Sequence, residues 1–136
     1  MKVVLDTNVL VSALLSAAGP PAQILGLAFV GKLSVLYDGR ILLEYRDVLY
    51  RPKFSLSAEV VDPILEFLEA EGEQVSAEPD PAQFLDEGDR AFLEVAVSGQ
   101  AGFLVTGNKK HFPADTRVVS PAEFLVRYRR PRRRRS

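Results

Sequence analysis

Asp6, Glu44 and Asp89 are the residues of this chain whose types and positions suggest chemistry. Asp6 ends the apolar run Val3 to Leu5 and is followed by the small polar residues Thr7, Asn8 and Ser12. Glu44 lies three residues after Ile41 and four before Val48, on the edge of an apolar helical stripe rather than opposite it. Asp89 opens a segment with the apolar residues Phe92, Leu93, Val95, Ala96 and Val97. Carboxylates gathered in a partly buried site raise one another's pKa, and burial without a partner is costly. A cation resolves that conflict. Oxygen-only ligands, with no histidine or thiolate among them, select hard ions, Mg2+ or Mn2+, and such sites suit phosphodiester hydrolysis. Each acid also has a plainer reading. Asp6 and Asp89 are natural helix N-caps, and Glu44 can pair with a surface lysine or arginine.

These acids need an α/β frame to bring them together. Val3 to Leu5 reads as a buried strand that ends on a carboxylate and turns into a helix. In open α/β sheets, ligand sites lie outside the carboxyl ends of the strands, where strand order reverses. Gly19-Pro20-Pro21 breaks the chain and starts an apolar helix that Gly31-Lys32 ends. Leu33 to Tyr37 is read as a strand, Asp38-Gly39 as a turn and Ile41 to Leu49 as a helix. Ser57 to Glu71 is an amphipathic helix closed by Gly72 as its C′ residue. Gln74 to Ser76 reads as a short strand, Arg90 to Ser98 as a helix, and Phe103 to Thr106 as a strongly apolar strand. Arg117 to Ser120 is another strand. Ser120 caps a last helix over Ala122 to Tyr128. The order β-α-β-α-α-β-α-β-β-α predicts a mostly parallel central sheet with helices on both faces. Thr106-Gly107-Asn108 then offers a rim of hydroxyl and amide groups at a second strand's carboxyl end, or simply a turn. The lone His111 reads as structural more readily than as catalytic.

Composition narrows the alternatives. The 136 residues suit one domain with its own core. There is no cysteine, which removes disulfides and thiolate sites, and a single histidine removes a multi-histidine zinc site. No stretch reaches the length of a membrane span, and the N-terminus is strand-like, so a cytoplasmic protein is expected. Arg127, Arg129, Arg130, Arg132, Arg133, Arg134 and Arg135 crowd the C-terminus. Setting these 7 aside from the 17 basic residues leaves 10 against 18 acidic ones, so the body carries about −8. Such a tail reads as solvated and disordered from 129 to 136, or as a nucleic-acid contact.

Four segments, in order, resemble the PIN domain family, and in particular the ribonuclease toxins of toxin–antitoxin systems (VapC-like). They are Val-Val-Leu-Asp-Thr-Asn-Val-Leu-Val-Ser-Ala from Val3, Leu-Leu-Glu-Tyr-Arg-Asp-Val-Leu from Leu42, Asp89 ahead of Phe92-Leu93-Glu94-Val95-Ala96, and Leu-Val-Thr-Gly-Asn-Lys-Lys-His-Phe-Pro from Leu104. The resemblance implies a three-layer α/β/α nuclease domain over residues 1–128 and a Mg2+- or Mn2+-dependent endoribonuclease. It implies Asp6, Glu44 and Asp89 as catalytic metal ligands, with Thr7, Asn8, Ser12 and Thr106 supporting them. Asn108 stands where the family usually has a fourth acid; its amide oxygen can coordinate but carries no charge. A cognate antitoxin and homodimerisation are implied as well. Lys109, Lys110, Arg129 and Arg130 are the candidate RNA phosphate contacts. Asn108 also motivates a competing expectation, a PIN domain that binds RNA or protein without cutting. A phosphatase built on Asp6 as nucleophile is disfavoured, because the second aspartate two residues on is absent.

Overall fold

In a computed structural model, residues 1–130 are described; 131–136, most of the expected arginine-rich tail, lie outside the described residues. The sheet contains β1 (Lys2–Leu5), β2 (Ser34–Tyr37), β3 (Glu73–Gln74), β4 (Phe103–Val105) and β5 (Val118–Val119). All neighbouring pairs are parallel, in the order β3-β2-β1-β4-β5. Parallel pairing requires long crossovers. These are α1 (Thr7–Leu15) with α2 (Pro20–Phe29), α3 (Gly39–Leu49) with α4 (Ala58–Glu71), and α5 (Arg90–Ser98). A loop holding the 3-10 turn Lys109–His111 joins β4 to β5, and α6 (Pro121–Arg129) follows. The expected three-layer α/β/α architecture is present: α5 packs on β1, β2 and β4, α3 on α4 and α5, and α2 on α1 and α6.

Burial explains the sequence pattern. Val3, Val4 and Leu5 are fully inaccessible, so the central strand reads as an unbroken apolar run instead of an alternating one. The core continues through Leu10, Ile24, Leu36, Leu104 and Phe124. No single helix among the described residues is long and apolar enough to cross a membrane; α1 buries Val9, Leu10, Val11 and Ala13, and α2 buries Ile24, Leu25 and Ala28.

Several boundaries differ from the sequence reading, each for a local reason. Two helices, not one, separate β1 from β2, because Asp6 leads straight into α1 and Gly19-Pro20 restarts the chain. Asp38 is no free turn: its carboxylate accepts a 3.0 Å hydrogen bond from the Ile41 backbone N–H and caps α3. β3 is Glu73–Gln74, earlier than expected, since α4 delivers the chain directly to the edge of β2. Gly72 is needed for space rather than for a left-handed conformation. Its φ is −78°, and a Cβ there would lie 2.4 Å from the Leu68 carbonyl oxygen and 2.5 Å from that of Val35. α6 passes the expected boundary at 128 and includes Arg129, and its N-terminus carries a full Ser120–Glu123 capping box.

Candidate active site

The strand order reverses beside β1: the chain steps outward to β2 and β3, then returns to the other side of β1 as β4. The seam between β1 and β4 is therefore the crevice in which a fold of this class binds its ligand. Leu5 pairs with Val105, so Asp6 and Thr106 face each other one residue beyond the ladder. Their backbones are fixed there, the Asp6 N–H on the Val105 carbonyl and the Thr106 N–H on that of Val119, each at 2.9 Å.

Side chains tie the same point together. Thr106 Oγ1 donates to Asp6 Oδ2 at 2.7 Å and accepts from the Asn108 backbone N–H at 3.0 Å. Asn8 donates to Asp6 Oδ2 through Nδ2 at 3.4 Å, and its Oδ1 accepts from the Gly107 N–H at 3.1 Å. Asp6 is thus held from the end of β4 by Thr106 and from α1 by Asn8. It is only 6% exposed, and burial pushes its pKa up, with Glu44 adding to the shift and the Thr106 hydroxyl opposing it.

Helix α3 is pinned on either side of Asp6. The Tyr45 hydroxyl donates to the Leu5 carbonyl, and the Thr7 hydroxyl donates to Glu44 Oε2. Glu44 is half-buried, and among the described residues it pairs with no lysine or arginine.

Asp89 arrives from the start of α5. Its pKa is raised to about 6 by burial, then by the negative charges of Asp6 and Asp86, with a smaller contribution from Glu44. Neither aspartate does the plainer job open to it: both occupy N-cap positions and neither side chain makes a cap hydrogen bond. Asp89 Oδ2 is buried with no hydrogen-bond partner, and His111 Nδ1 lies 3.7 Å from it. Gly88 lets the acidic turn approach: a Cβ there would lie 3.2 Å from Asp86 Oδ1 and 3.6 Å from Glu44 Oε1.

Asp6, Glu44 and Asp89 therefore share one electrostatic environment, although among the described residues no three acidic or histidine side chains yet stand at ligand spacing. The donor set still suits a hard divalent cation. An orphaned buried carboxylate oxygen and the raised pKa values of Asp6 and Asp89 are what such an ion relieves. Thr7, Asn8 and Thr106 lie within the same network. Ser12 is exposed one helical turn beyond Asn8 and makes no hydrogen bond to it. Asn108 is exposed, and only its backbone enters the network. Lys109 is engaged with Glu123 at 2.9 Å, and Arg129 donates to Gln23 at 2.6 Å; Lys110 and Arg130 are exposed.

Three features escape sequence reasoning. Tyr45 reads as one more apolar member of its helical stripe, yet a buried tyrosine hydroxyl needs an acceptor. Glu94 is 4% exposed and accepts from Arg40 at 2.8 Å and from the Asp80 N–H at 2.7 Å. Burial alone would raise its pKa, but these bonds hold it below the usual range. With Arg90, which donates to the Asp80 and Ala82 carbonyls, it fastens the loop that delivers Asp89. A charge inside Phe-Leu-Glu-Val-Ala-Val is the available signal. His111 is the third, and its placement beside Asp89 has no signature in spacing.

Two clefts flank the site. One of about 350 Å³ has Arg40, Glu44, Gly88 and Arg90 on its walls. Another of about 750 Å³ is lined by Lys109, Lys110, Phe112 and Arg127, beyond the Asn108 turn.

The family model for the PIN domain matches residues 2–110, which span Asp6, Glu44, Asp89 and Asn108. An uncharacterized protein of Methanocaldococcus jannaschii is 34% identical over 113 residues, covering 80% of this chain and 72% of the relative. PIN domains are generally nucleases that use divalent metals. On these matches and this fold, the chain belongs to the PIN domain family.

Proposed function

We propose that the protein is a Mg2+- or Mn2+-dependent endoribonuclease acting in the cytoplasm, the toxin of a toxin–antitoxin pair. The observation that carries the nuclease reading is Asp89 Oδ2, buried and unpartnered within reach of the charges of Asp6 and Glu44. Asp6, Glu44 and Asp89 would hold the ion, which supplies charge neutralisation and an activated water for phosphodiester hydrolysis. The chain's own residues preorganise the centre. Thr106 and Asn8 fix the Asp6 carboxylate, Thr7 fixes that of Glu44, and the Arg90–Glu94 pair holds the loop bearing Asp89. The N-terminus of α1 points at the crevice and favours anionic groups there. Lys110 and Arg127 on the larger cleft, with Arg130, offer phosphate contacts, while the acidic body repels RNA elsewhere. An antitoxin that covers the crevice is the proposed partner, and a homodimer is the proposed assembly.

A second reading is favoured by Asn108 and by the open spacing of the three acids: a PIN domain that binds RNA without cutting it. Incubating a labelled mixed-sequence RNA with the purified protein in Mg2+, Mn2+ or EDTA separates the two. Metal-dependent cutting supports the nuclease; binding with no cutting in any condition supports the second reading.

A further inference from the structure

We propose that the cleft between the Asn108 turn and α6 is a nucleotide subsite that seats one unpaired base of an RNA strand against Arg127, so that the RNA taken is single-stranded. This rests on the RNA readings above, cutting or binding alone, and requires no metal ion.

The cleft, of about 750 Å³, lies within the size range of small-ligand sites. Lys110 lines it and directly precedes His111, which lies 3.7 Å from Asp89, so the cleft adjoins the acidic crevice. Its acids are already neutralised. Asp115 is paired with Arg117 at 2.7 Å, and Glu123, on the neighbouring turn of α6, with Lys109 at 2.9 Å. Lys110 and Arg127 form no salt bridge among the described residues. Two positive groups therefore stand uncompensated on a body in which acidic residues outnumber basic ones.

The cleft also has an apolar wall. Phe112 and Val118 are buried there, with Pro113 half-buried beside them. The Arg127 guanidinium carbon stands 5.8 Å from the Phe103 ring centroid, an aromatic contact that restrains the exposed side chain. A guanidinium plane and an apolar wall suit the face of a base, and a lysine suits the phosphate. Bases in a duplex are stacked on one another, so only an unpaired one is free to enter. An acidic peptide meets the cations alone; a single strand meets the cations and the apolar wall together. Arg127 also lines a second cleft, of about 570 Å³, that reaches Arg130. Lys110, Arg127 and Arg130 thus mark a basic path from the crevice along α6.

The test is binding of a short labelled RNA of mixed sequence to the full chain in EDTA, by fluorescence anisotropy, with backbone amide NMR to place the contact. The same RNA as a duplex, the same backbone without bases, and polyglutamate as competitor are compared. The proteins are wild type, Lys110→Ala and Arg127→Lys. Wild type is expected to bind the single strand roughly tenfold more tightly than the duplex or the abasic backbone, with amide shifts within 109–118. Arg127→Lys keeps the charge; it is expected to lose roughly tenfold in affinity with an unchanged dependence of log K on log salt. Lys110→Ala is expected to reduce that slope by about 0.7, the value of one phosphate contact on a single strand. The subsite is overturned by equal binding of single strand and duplex, by an Arg127→Lys protein that binds as wild type does, by amide shifts confined to other segments, or by displacement of the RNA with polyglutamate at matched charge. Those outcomes remove the subsite alone. A wild type that binds no RNA even at low salt removes the RNA readings with it.

Discussion

Thr106 Oγ1 donates a 2.7 Å hydrogen bond to Asp6 Oδ2 across the seam of β1 and β4, and accepts from the Asn108 N–H in turn. One hydroxyl therefore sets the carboxylate of the first strand and the turn after the fourth. Thr106→Val keeps the shape and removes both bonds. It should cost about 1–3 kcal/mol of stability, because the buried Asp6 carboxylate loses a donor and the Asn108 N–H at the turn loses its acceptor. Thr106→Ser should recover most of that in chemical denaturation. A Thr106→Val protein as stable as wild type would mean that the bond does not organise the site.

Asp89 makes stability depend on pH in an unusual direction. Its folded pKa of about 6 lies above the ordinary 3.8, so the folded state holds the proton longer than the unfolded one. Below pH 3.8 both states are protonated and nothing is lost. As pH rises through the window from 3.8 to about 6, stability falls, and above it the full penalty is present. Without metal at pH 8, Asp89→Asn should be more stable than wild type by roughly 1–3 kcal/mol, with the difference vanishing near pH 3.5. Thermal melts in EDTA across pH check this. A variant less stable than wild type at pH 8 contradicts it.

Metal should reverse that penalty. An ion that binds only the folded state stabilises it by mass action, by about 2.7 kcal/mol at a hundred times its Kd. Saturating Mn2+ should raise the melting temperature of wild type by several degrees at pH 8 and leave Asp89→Asn and Asp6→Asn nearly unmoved. Equal shifts in all three would mean that the ion binds elsewhere.

Glu94 and Arg40 act at a distance from the chemistry. Glu94→Gln keeps the bond from Asp80 but removes the charge that Arg40 and Arg90 face. Breaking a mostly buried pair in this way should cost about 2–4 kcal/mol, reduced by the half-exposed Arg40 end. The loss should show first as faster proteolysis within residues 76–88, before global unfolding. Unchanged cleavage in that loop would remove the role assigned to Glu94.

Much of the fold is legible in the residues alone. The apolar run ending in Asp6, the helical stripe with Glu44 at its edge and the break ahead of Asp89 yield the α/β order, because strand and helix periods are local properties. The helix Arg90–Ser98 has the bounds that its apolar pattern predicts. Element ends are less legible because tertiary partners decide them. Gly72 is set by the Val35 carbonyl and α3 begins where Asp38 caps it, and neither contact is visible in a window of sequence. Within the site, residue types point to the acids. The supports, Tyr45 on the Leu5 carbonyl and His111 beside Asp89, arise from register between distant segments.

If Asp6, Glu44 and Asp89 form one phosphodiester-cleaving centre, each must be needed for cutting. The most direct test is single-turnover cleavage of a labelled mixed-sequence RNA in Mn2+ by wild type, Asp6→Asn, Glu44→Gln and Asp89→Asn, with folding verified by circular dichroism. Wild type is expected to cut, and EDTA to abolish the cutting. Each variant is expected to lose about a hundredfold or more, and pairs to lose far less than the sum, as expected of residues that act as a unit. Undiminished cutting by a folded Asp6→Asn or Asp89→Asn protein would contradict a shared centre.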